Sequence, residues 1–208
     1  MNQSEKYRMY SDCLVCGIDE VGRGSLAGPL LAVAALFKTK EVGVPGVDDS
    51  KKLSPGRRLK LFRLILWSPQ LVDFGIGEVS SGEIEKVGIN HANILAFQRA
   101  VEALPQRPNL LIVDGDVGVP GWGPDNQIVE PKADGNYPVV SAASILAKVI
   151  RDSYMEELDS LVPGYRWKKN KGYGTKDHVQ ALQSLGPSRF HRPQFIGKIV
   201  SPQTGWSL

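Results

Sequence analysis

Asp19 and Glu20 stand side by side at the end of a short apolar run, Val15-Cys16-Gly17-Ile18, and Gly22-Arg23-Gly24 follows almost at once. Carboxylates at the end of a buried strand are costly unless a cation neutralises them. Glycines around an arginine let backbone N–H groups come close to a ligand. Two further acids fall in comparable places: Asp114 after Asn109-Leu110-Leu111-Ile112-Val113, and Asp134 in Lys132-Ala133-Asp134-Gly135, shortly before a long helical pattern. Open α/β sheets place ligands at the C-terminal ends of their strands. If the strands ending at Asp19 and Asp114 are neighbours, four carboxylates can converge, and their mutual repulsion calls for cations. Mg²⁺ or Mn²⁺ suits an all-oxygen donor set, and two such ions would clamp the attacking and leaving oxygens of a phosphodiester. Adjacent strand residues face opposite ways, so Asp19 and Glu20 are expected to meet only if the strand ends or bulges at Glu20. Asp114 also suits a turn, Asp134 a turn or cap, and Asp116 and Asp125 compete within the same region.

The elements that must position these acids follow from the apolar pattern. Leu14–Asp19 reads as a first strand and the continuous run Pro29–Phe37 as a second, central one. Ser54 caps a helix that has Pro55 at its first position, apolar Leu59, Phe62, Ile65 and Leu66 on one side and cations on the other. Leu71–Val79 is a third strand. Ser80 or Ser81 caps a short acidic helix, and Asn90–Leu104 is a longer one that stops before Pro105. Asn109–Val113 and Gln127–Val129 complete the strands. Pro138–Leu161 is one long helix, ended by Pro163-Gly164, and Thr175 caps the last clear helix, closed by Gly186-Pro187. This is the pattern of a single α/β domain over residues 1–208, of which about 162–208 forms a C-terminal helical extension.

The 208 residues are 42% hydrophobic and 23% charged with a net charge of +3, an ordinary globular composition that does not by itself argue for nucleic acid. The distribution of charge says more. Lys51, Lys52, Arg57, Arg58, Lys60 and Arg63 fall in one acid-free stretch, and Arg166, Lys168, Lys169, Lys171 and Lys176 in another. Both suit a polyanion, although such runs also serve as solvated faces. Cys13 and Cys16 form a CxxC in a strand entrance instead of at a helix N-terminus, with no second pair for zinc; they read as small buried thiols. His91, His178 and His191 have no acidic neighbours that would mark them as catalysts. The polar first eleven residues are no signal peptide, and no apolar run reaches the ~20 residues of a membrane span, so a cytoplasmic protein is expected. Gly22-x-Gly24-x-x-x-Gly28 fits a dinucleotide loop poorly: the spacing differs, a strand follows instead of a helix, and two acids precede the glycines.

Taken together, Gly17-Ile18-Asp19-Glu20-Val21-Gly22-Arg23-Gly24, Ala27-Gly28-Pro29-Leu30, Asp49-Ser50-Lys51-Lys52-Leu53-Ser54, Asp114-Gly115, Ser141–Val149 with Arg151-Asp152, Asn170–Thr175 and, more loosely, His191-Arg192 resemble ribonuclease HII, the bacterial type 2 ribonuclease H. The blocks run in family order over roughly residues 14–195. The resemblance implies an RNase H-like fold with a five-stranded mixed sheet flanked by helices. It also implies a metal site of Asp19, Glu20, Asp114 and Asp134 that uses Mg²⁺ or Mn²⁺. The family commonly shows Lys-Gly-Asp-Ser where this chain has Lys132-Ala133-Asp134-Gly135, so the aspartate is kept while the loop around it differs. Arg23 between two glycines, with no substrate-binding module ahead of it, separates the chain from type 3 enzymes.

By the same resemblance, Gly22, Arg23 and Gly24 contact the ribose 2′-OH and a nearby phosphate, and Tyr173 packs on the deoxyribose that follows. Lys51 and Lys52 join the substrate contacts. The implied activity is endoribonucleolytic hydrolysis of the RNA strand of RNA/DNA hybrids. It includes cutting 5′ to single ribonucleotides in duplex DNA, leaving 3′-OH and 5′-phosphate ends, by a monomeric enzyme. The 2′-OH is what distinguishes RNA from DNA at one position, so a sensor for it beside a metal site is physically coherent. The alternatives are an RNase H-fold nucleic-acid-binding protein without catalysis, and a nuclease of this fold acting on DNA alone. Ser201–Leu208 shows no convincing clamp-binding motif.

Overall fold

The computed structural model describes residues 14–38 and 53–200. Lys51 and Lys52, with Cys13, Asp49, Ser50 and the tail from Ser201, lie outside the described residues. Five strands form one mixed sheet in the order β3-β2-β1-β4-β5: β1 is Val15–Val21, β2 Leu30–Phe37, β3 Val72–Val79, β4 Leu110–Asp114 and β5 Gln127–Glu130. The β1–β2 and β2–β3 pairs are antiparallel, while β1–β4 and β4–β5 are parallel. The apolar run after Pro29 becomes the central β2, buried along its whole length, because both faces of the sheet are covered.

Seven helices follow among the described residues: α1 Pro55–Leu66, α2 Ser81–Val87, α3 Ile89–Glu102, α4 Pro138–Leu161, α5 Trp167–Asn170, α6 Lys176–Leu185 and α7 Pro193–Ile196. Ser54 caps α1 ahead of Pro55, and Ser80 closes a capping box with Glu83 at the start of α2, as the sequence pattern predicts. Strand alternation sorts the core into two layers. Val15, Val33 and Ala35 face Val139, Ala142 and Leu146 of α4, with Leu61 and Ile65 of α1. Cys16, Ile18, Ala32 and Ala34 face Ala92, Ala96 and Phe97 of α3. Gly17 permits a close approach on the first side: a Cβ there would lie 2.4 Å from the backbone between Val139 and Val140. The first turn of α4 is thereby held against β1, two residues from Asp19. A third apolar cluster joins Leu26 and Ala27 to Met155 and Leu158 of α4 and to Tyr165, Trp167, Leu182 and Ile196. The C-terminal helices are thus built onto the loop after Gly24.

One expectation fails. β1 neither ends nor bulges at Glu20: Glu20 pairs with Ala32 and Val21 with Leu31 in unbroken register. On its other side, β1 pairs with β4 only as far as Ile18, opposite Val113. The strand therefore projects past its parallel neighbour, and its end is open on the β4 side.

Candidate active site

Because β1 keeps its alternation, Asp19 and Glu20 leave opposite faces of the sheet. Asp19 is bonded to Ser144 of α4, and Glu20 to Asn93 of α3, on the other face. The two acids bracket the projecting strand end instead of sharing one side of it. Asp114 closes β4. Its Oδ1 accepts the backbone N–H of Lys132 at 2.6 Å and of Ala133 at 3.3 Å, which stitches the strand end to the single 3-10 turn Ala133–Gly135 that carries Asp134. Asp134 is 3% exposed, and its carbonyl accepts the Ser141 hydroxyl from α4.

The four acids feel one another. Burial pushes the Asp19 carboxyl up to about 8; the Ser144 hydroxyl pulls it back, and the charges of Asp114, Glu20 and Asp134 raise it further. Burial also raises Glu20, which the Arg23 guanidinium opposes and Asp114 reinforces. Asp114 is raised by burial and then by the charge of Asp134. Among the described residues, no three His, Cys, Asp or Glu side chains are gathered tightly enough to hold a metal ion as they stand, as mutual repulsion of like charges favours. The donor set itself is four carboxylates, hard oxygen ligands of the kind Mg²⁺ and Mn²⁺ take, and each lies in the field of others. The residues fit a divalent cation in the chemistry of their donors. A cleft of about 280 Å³ opens onto Asp19, Glu20 and Asp134, with Arg58 of α1 and Lys148 of α4 also in its wall.

Beside this cleft, Arg151 stands between Gly22 and Tyr173, and the segment after Gly24 bonds to the Tyr173 loop through Leu26 N and Ala27 N to Gly172 O. Gly22 has φ +88°, and a Cβ there would lie 2.1 Å from Arg151 Nε, so no side chain is tolerated. Gly24 has open space where a Cβ would stand, which leaves its backbone approachable. Arg23 is exposed and donates to Asn90 Oδ1 at 3.1 Å. Arg151, 0% exposed, binds this loop to the Tyr173 loop. Its Nε donates to Pro29 O (3.0 Å), its Nη2 to Ser25 Oγ (2.7 Å) and Ala27 O (3.2 Å), and its Nη1 to Lys171 O (2.9 Å). Its Cζ lies 5.4 Å from the Tyr173 ring centroid, and Lys148 Nζ lies 5.8 Å from the same centroid. A second buried guanidinium, Arg192, donates to Gly28 O (2.9 and 3.1 Å) and Arg23 O (3.0 Å). Burial and then the charge of Arg151 hold it down to about 9.

The sequence reading left Ser141, Ser144, Lys148 and Arg151 without roles. They recur at i, i+3, i+7 and i+10 on α4, one face of one helix. A row of polar residues in the otherwise apolar stretch Pro138–Arg151 is the signal that marks them. The second basic stretch also differs from expectation. Arg166 and Lys169 pair with Asp177 (3.1 and 3.0 Å) and Lys171 with Glu156 (2.6 Å), so acids outside the stretch balance much of its charge. From the first stretch, the structure brings Arg58 to the cleft. Cys16 is buried, and burial pushes its thiol up, in keeping with a packing role. His91 is exposed while His178 and His191 are buried.

Among the described residues no helix is long and apolar enough to cross a membrane. The family model described as Ribonuclease HII matches residues 16–198. Ribonuclease HII of Caldicellulosiruptor bescii is 42% identical over 187 residues, covering 90% of this chain and 88% of that protein. Ribonuclease HII of Geobacter sulfurreducens is 44% identical over 183 residues, covering 88% and 82%. Among solved structures, the ribonuclease H2 from Pyrococcus horikoshii superposes with a TM-score of 0.72 at 29% identity, covering 89% of this chain and 96% of that one. The RNase HII of Archaeoglobus fulgidus, solved in complex with PCNA, gives 0.72 at 26% identity, covering 93% and 98%. A type 3 enzyme, Bst-RNase HIII, solved with Mn²⁺, shares the fold at 19% identity with a TM-score of 0.71, covering 91% and 67%. With an RNase H-like fold and this degree of identity over most of its length, the chain belongs to the ribonuclease HII family and is an endoribonuclease.

Proposed function

We propose that this endoribonuclease hydrolyses the RNA strand of RNA/DNA hybrids and cuts on the 5′ side of single ribonucleotides embedded in duplex DNA, leaving 3′-OH and 5′-phosphate ends. The observation that carries the reading is the projecting end of β1. It puts Asp19 and Glu20 on either side of one strand tip, in the fields of Asp114 and Asp134, next to a glycine–arginine loop and an aromatic ring. Asp19, Glu20, Asp114 and Asp134 would hold divalent cations, Mg²⁺ or Mn²⁺ and two in number with substrate. When bound, such ions supply an activated water and stabilise the leaving 3′-oxygen.

The protein's own residues do the rest. Ser144 orients Asp19, and Asn93 orients Glu20. The backbone N–H groups of Lys132 and Ala133 fix Asp114. Arg58 and Lys148 give the cleft two cations for substrate phosphates. Gly22, Arg23 and Gly24 read the 2′-OH, and Tyr173 packs on the deoxyribose 3′ to it, a sugar face that a hydroxyl would crowd. Lys51 and Lys52 would add phosphate contacts. The protein acts as a monomer.

A labelled duplex with one ribonucleotide, incubated with Mg²⁺, Mn²⁺ or EDTA, tests this beside an all-DNA duplex and a continuous hybrid. The expected result is a metal-dependent cut 5′ to the ribonucleotide and none in DNA. Binding without a cut, or equal cutting of all-DNA, would overturn it.

A further inference from the structure

His178 and His191 lie behind Tyr173, buried and facing each other at 3.1 Å between their Nε2 atoms. Their tautomers follow from their neighbours. The indole Nε1–H of Trp167 can only donate, and it reaches His178 Nε2 at 3.0 Å. That nitrogen must carry the lone pair, so the proton of neutral His178 sits on Nδ1, which faces the Tyr173 carbonyl at 3.0 Å. Since His178 Nε2 has no hydrogen, the 3.1 Å contact is a hydrogen bond only if His191 Nε2 donates, sharing that nitrogen's single lone pair with the Trp167 indole N–H. His191 Nδ1 is then an acceptor, and it faces both the backbone N–H and the hydroxyl of Ser188, each at 2.9 Å. Every hydrogen bond points one way, from Ser188 through His191 and His178 to Tyr173. The opposite tautomer of either ring would set two N–H groups against each other.

The far end of this chain is tied to the other reading element. His191 forms a β-bridge with Ala27; Gly28 N donates to Phe190 O at 2.9 Å, and Arg192 N to Leu26 O at 2.8 Å. One short segment therefore holds the loop that follows Gly24 with its backbone and the Tyr173 backbone with a histidine ring, through a second ring. Packing needs neither histidine: two apolar rings would fill the same space without the demand for four matched polar partners.

We propose that His178, fixed as its Nδ1–H tautomer by Trp167 and His191, is a positioning residue that sets Tyr173 relative to the 2′-OH-reading loop and thereby the preference for a single ribonucleotide followed by deoxyribose. This rests on the role given to Tyr173 above.

Two isosteric variants separate the two sides of the ring. His178→Asn keeps an N–H donor where Nδ1 stands; His178→Gln keeps an acceptor where Nε2 stands and loses the donor to Tyr173. Each removes one side, so both are matched by thermal unfolding before kinetics. On the single-ribonucleotide duplex, His178→Gln is expected to lose about tenfold in kcat/KM while His178→Asn stays within about threefold, both holding within about threefold on a continuous hybrid. Imidazole ¹⁵N spectra of the wild-type protein should show His178 protonated on Nδ1 and His191 on Nε2. Equal discrimination by the two variants, or the reverse tautomers, would overturn the proposal while leaving the nuclease reading intact. A wild-type protein that ignores the single ribonucleotide would overturn both.

Discussion

The acid cleft and the corner around Tyr173 are neighbours with opposite electrostatic character. In the cleft, burial and then the neighbouring acids raise the proton affinity of Asp19 and Asp114, burial and Asp114 raise that of Glu20, and the Ser144 hydroxyl pulls Asp19 back. In the corner, two buried guanidinium groups and two neutral histidines meet backbone carbonyls, hydroxyls and one another in matched pairs. The cleft is a set of like charges that calls for cations; the corner is preorganised by the chain alone. Chemistry here depends on what arrives, and recognition on what is already in place.

The strongest test of that contrast is Asp19→Asn. It is expected to reduce cutting at least ~10³-fold while duplex binding stays within about threefold. In EDTA it should also raise the thermal midpoint, because it removes a carboxyl whose ionisation the folded site disfavours, first by burial and then by the neighbouring acids. A lower midpoint in EDTA would mean that the acids are not in mutual conflict. Removing a corner charge should do the reverse. Arg151→Met leaves four carbonyl or hydroxyl acceptors without their donor, and a loss of about 3–5 kcal/mol is expected by urea unfolding. Arg151→Lys should recover part of it.

A subtler probe is pH. Burial, and then the neighbouring His178, hold His191 down to about 4 against an ordinary 6.5. The unfolded chain takes up this proton below about 6.5 and the fold only below about 4, so its contribution is complete above 6.5 and is lost as pH falls across that window. Because the raised acids of the cleft shift stability the opposite way over the same range, the readout is a difference: between pH 7 and 4.5, urea unfolding should show the wild-type protein losing on the order of 2–3 kcal/mol relative to His191→Gln. The smallest effect belongs to the rim. Arg58→Ala should weaken duplex binding a few-fold and lower the salt dependence by about one phosphate contact, with the cut site unchanged.

Much of the fold was legible. β2 announced itself as eight apolar residues, and Ser54-Pro55 and Ser80 marked helix starts, because these signals are local. The four acids were legible as strand-end and pre-helix residues. How Asp19 and Glu20 cooperate was not. A bulge is the local expectation, whereas the two acids in fact leave opposite faces of a strand end that outruns β4, which no stretch of either strand states alone. Arg151 and the histidine pair were missed for a related reason. Their partners lie in Pro29, Lys171, Tyr173 and Ser188, far apart in sequence, and a buried arginine without a carboxylate looks like any surface cation until its acceptors are seen. The second basic stretch misled in the opposite direction, since Glu156 and Asp177 that balance it sit outside it.

The polar face of α4 has a consequence for how this protein can vary. Ser141 and Ser144 bond to Asp134 and Asp19, Lys148 lies between the cleft and Tyr173, and Arg151 ties the Ser25–Pro29 segment to Lys171, all on one rod with a rise of about 1.5 Å per residue. From Ser144 to Arg151 is seven residues, or about 10 Å, two nearly complete turns. A single inserted or deleted residue between them would swing one group about 100° away from the other, whatever the residue's type. Whatever side chains this helix carries, its length works as a fixed gauge between the acid cleft and the corner around Tyr173.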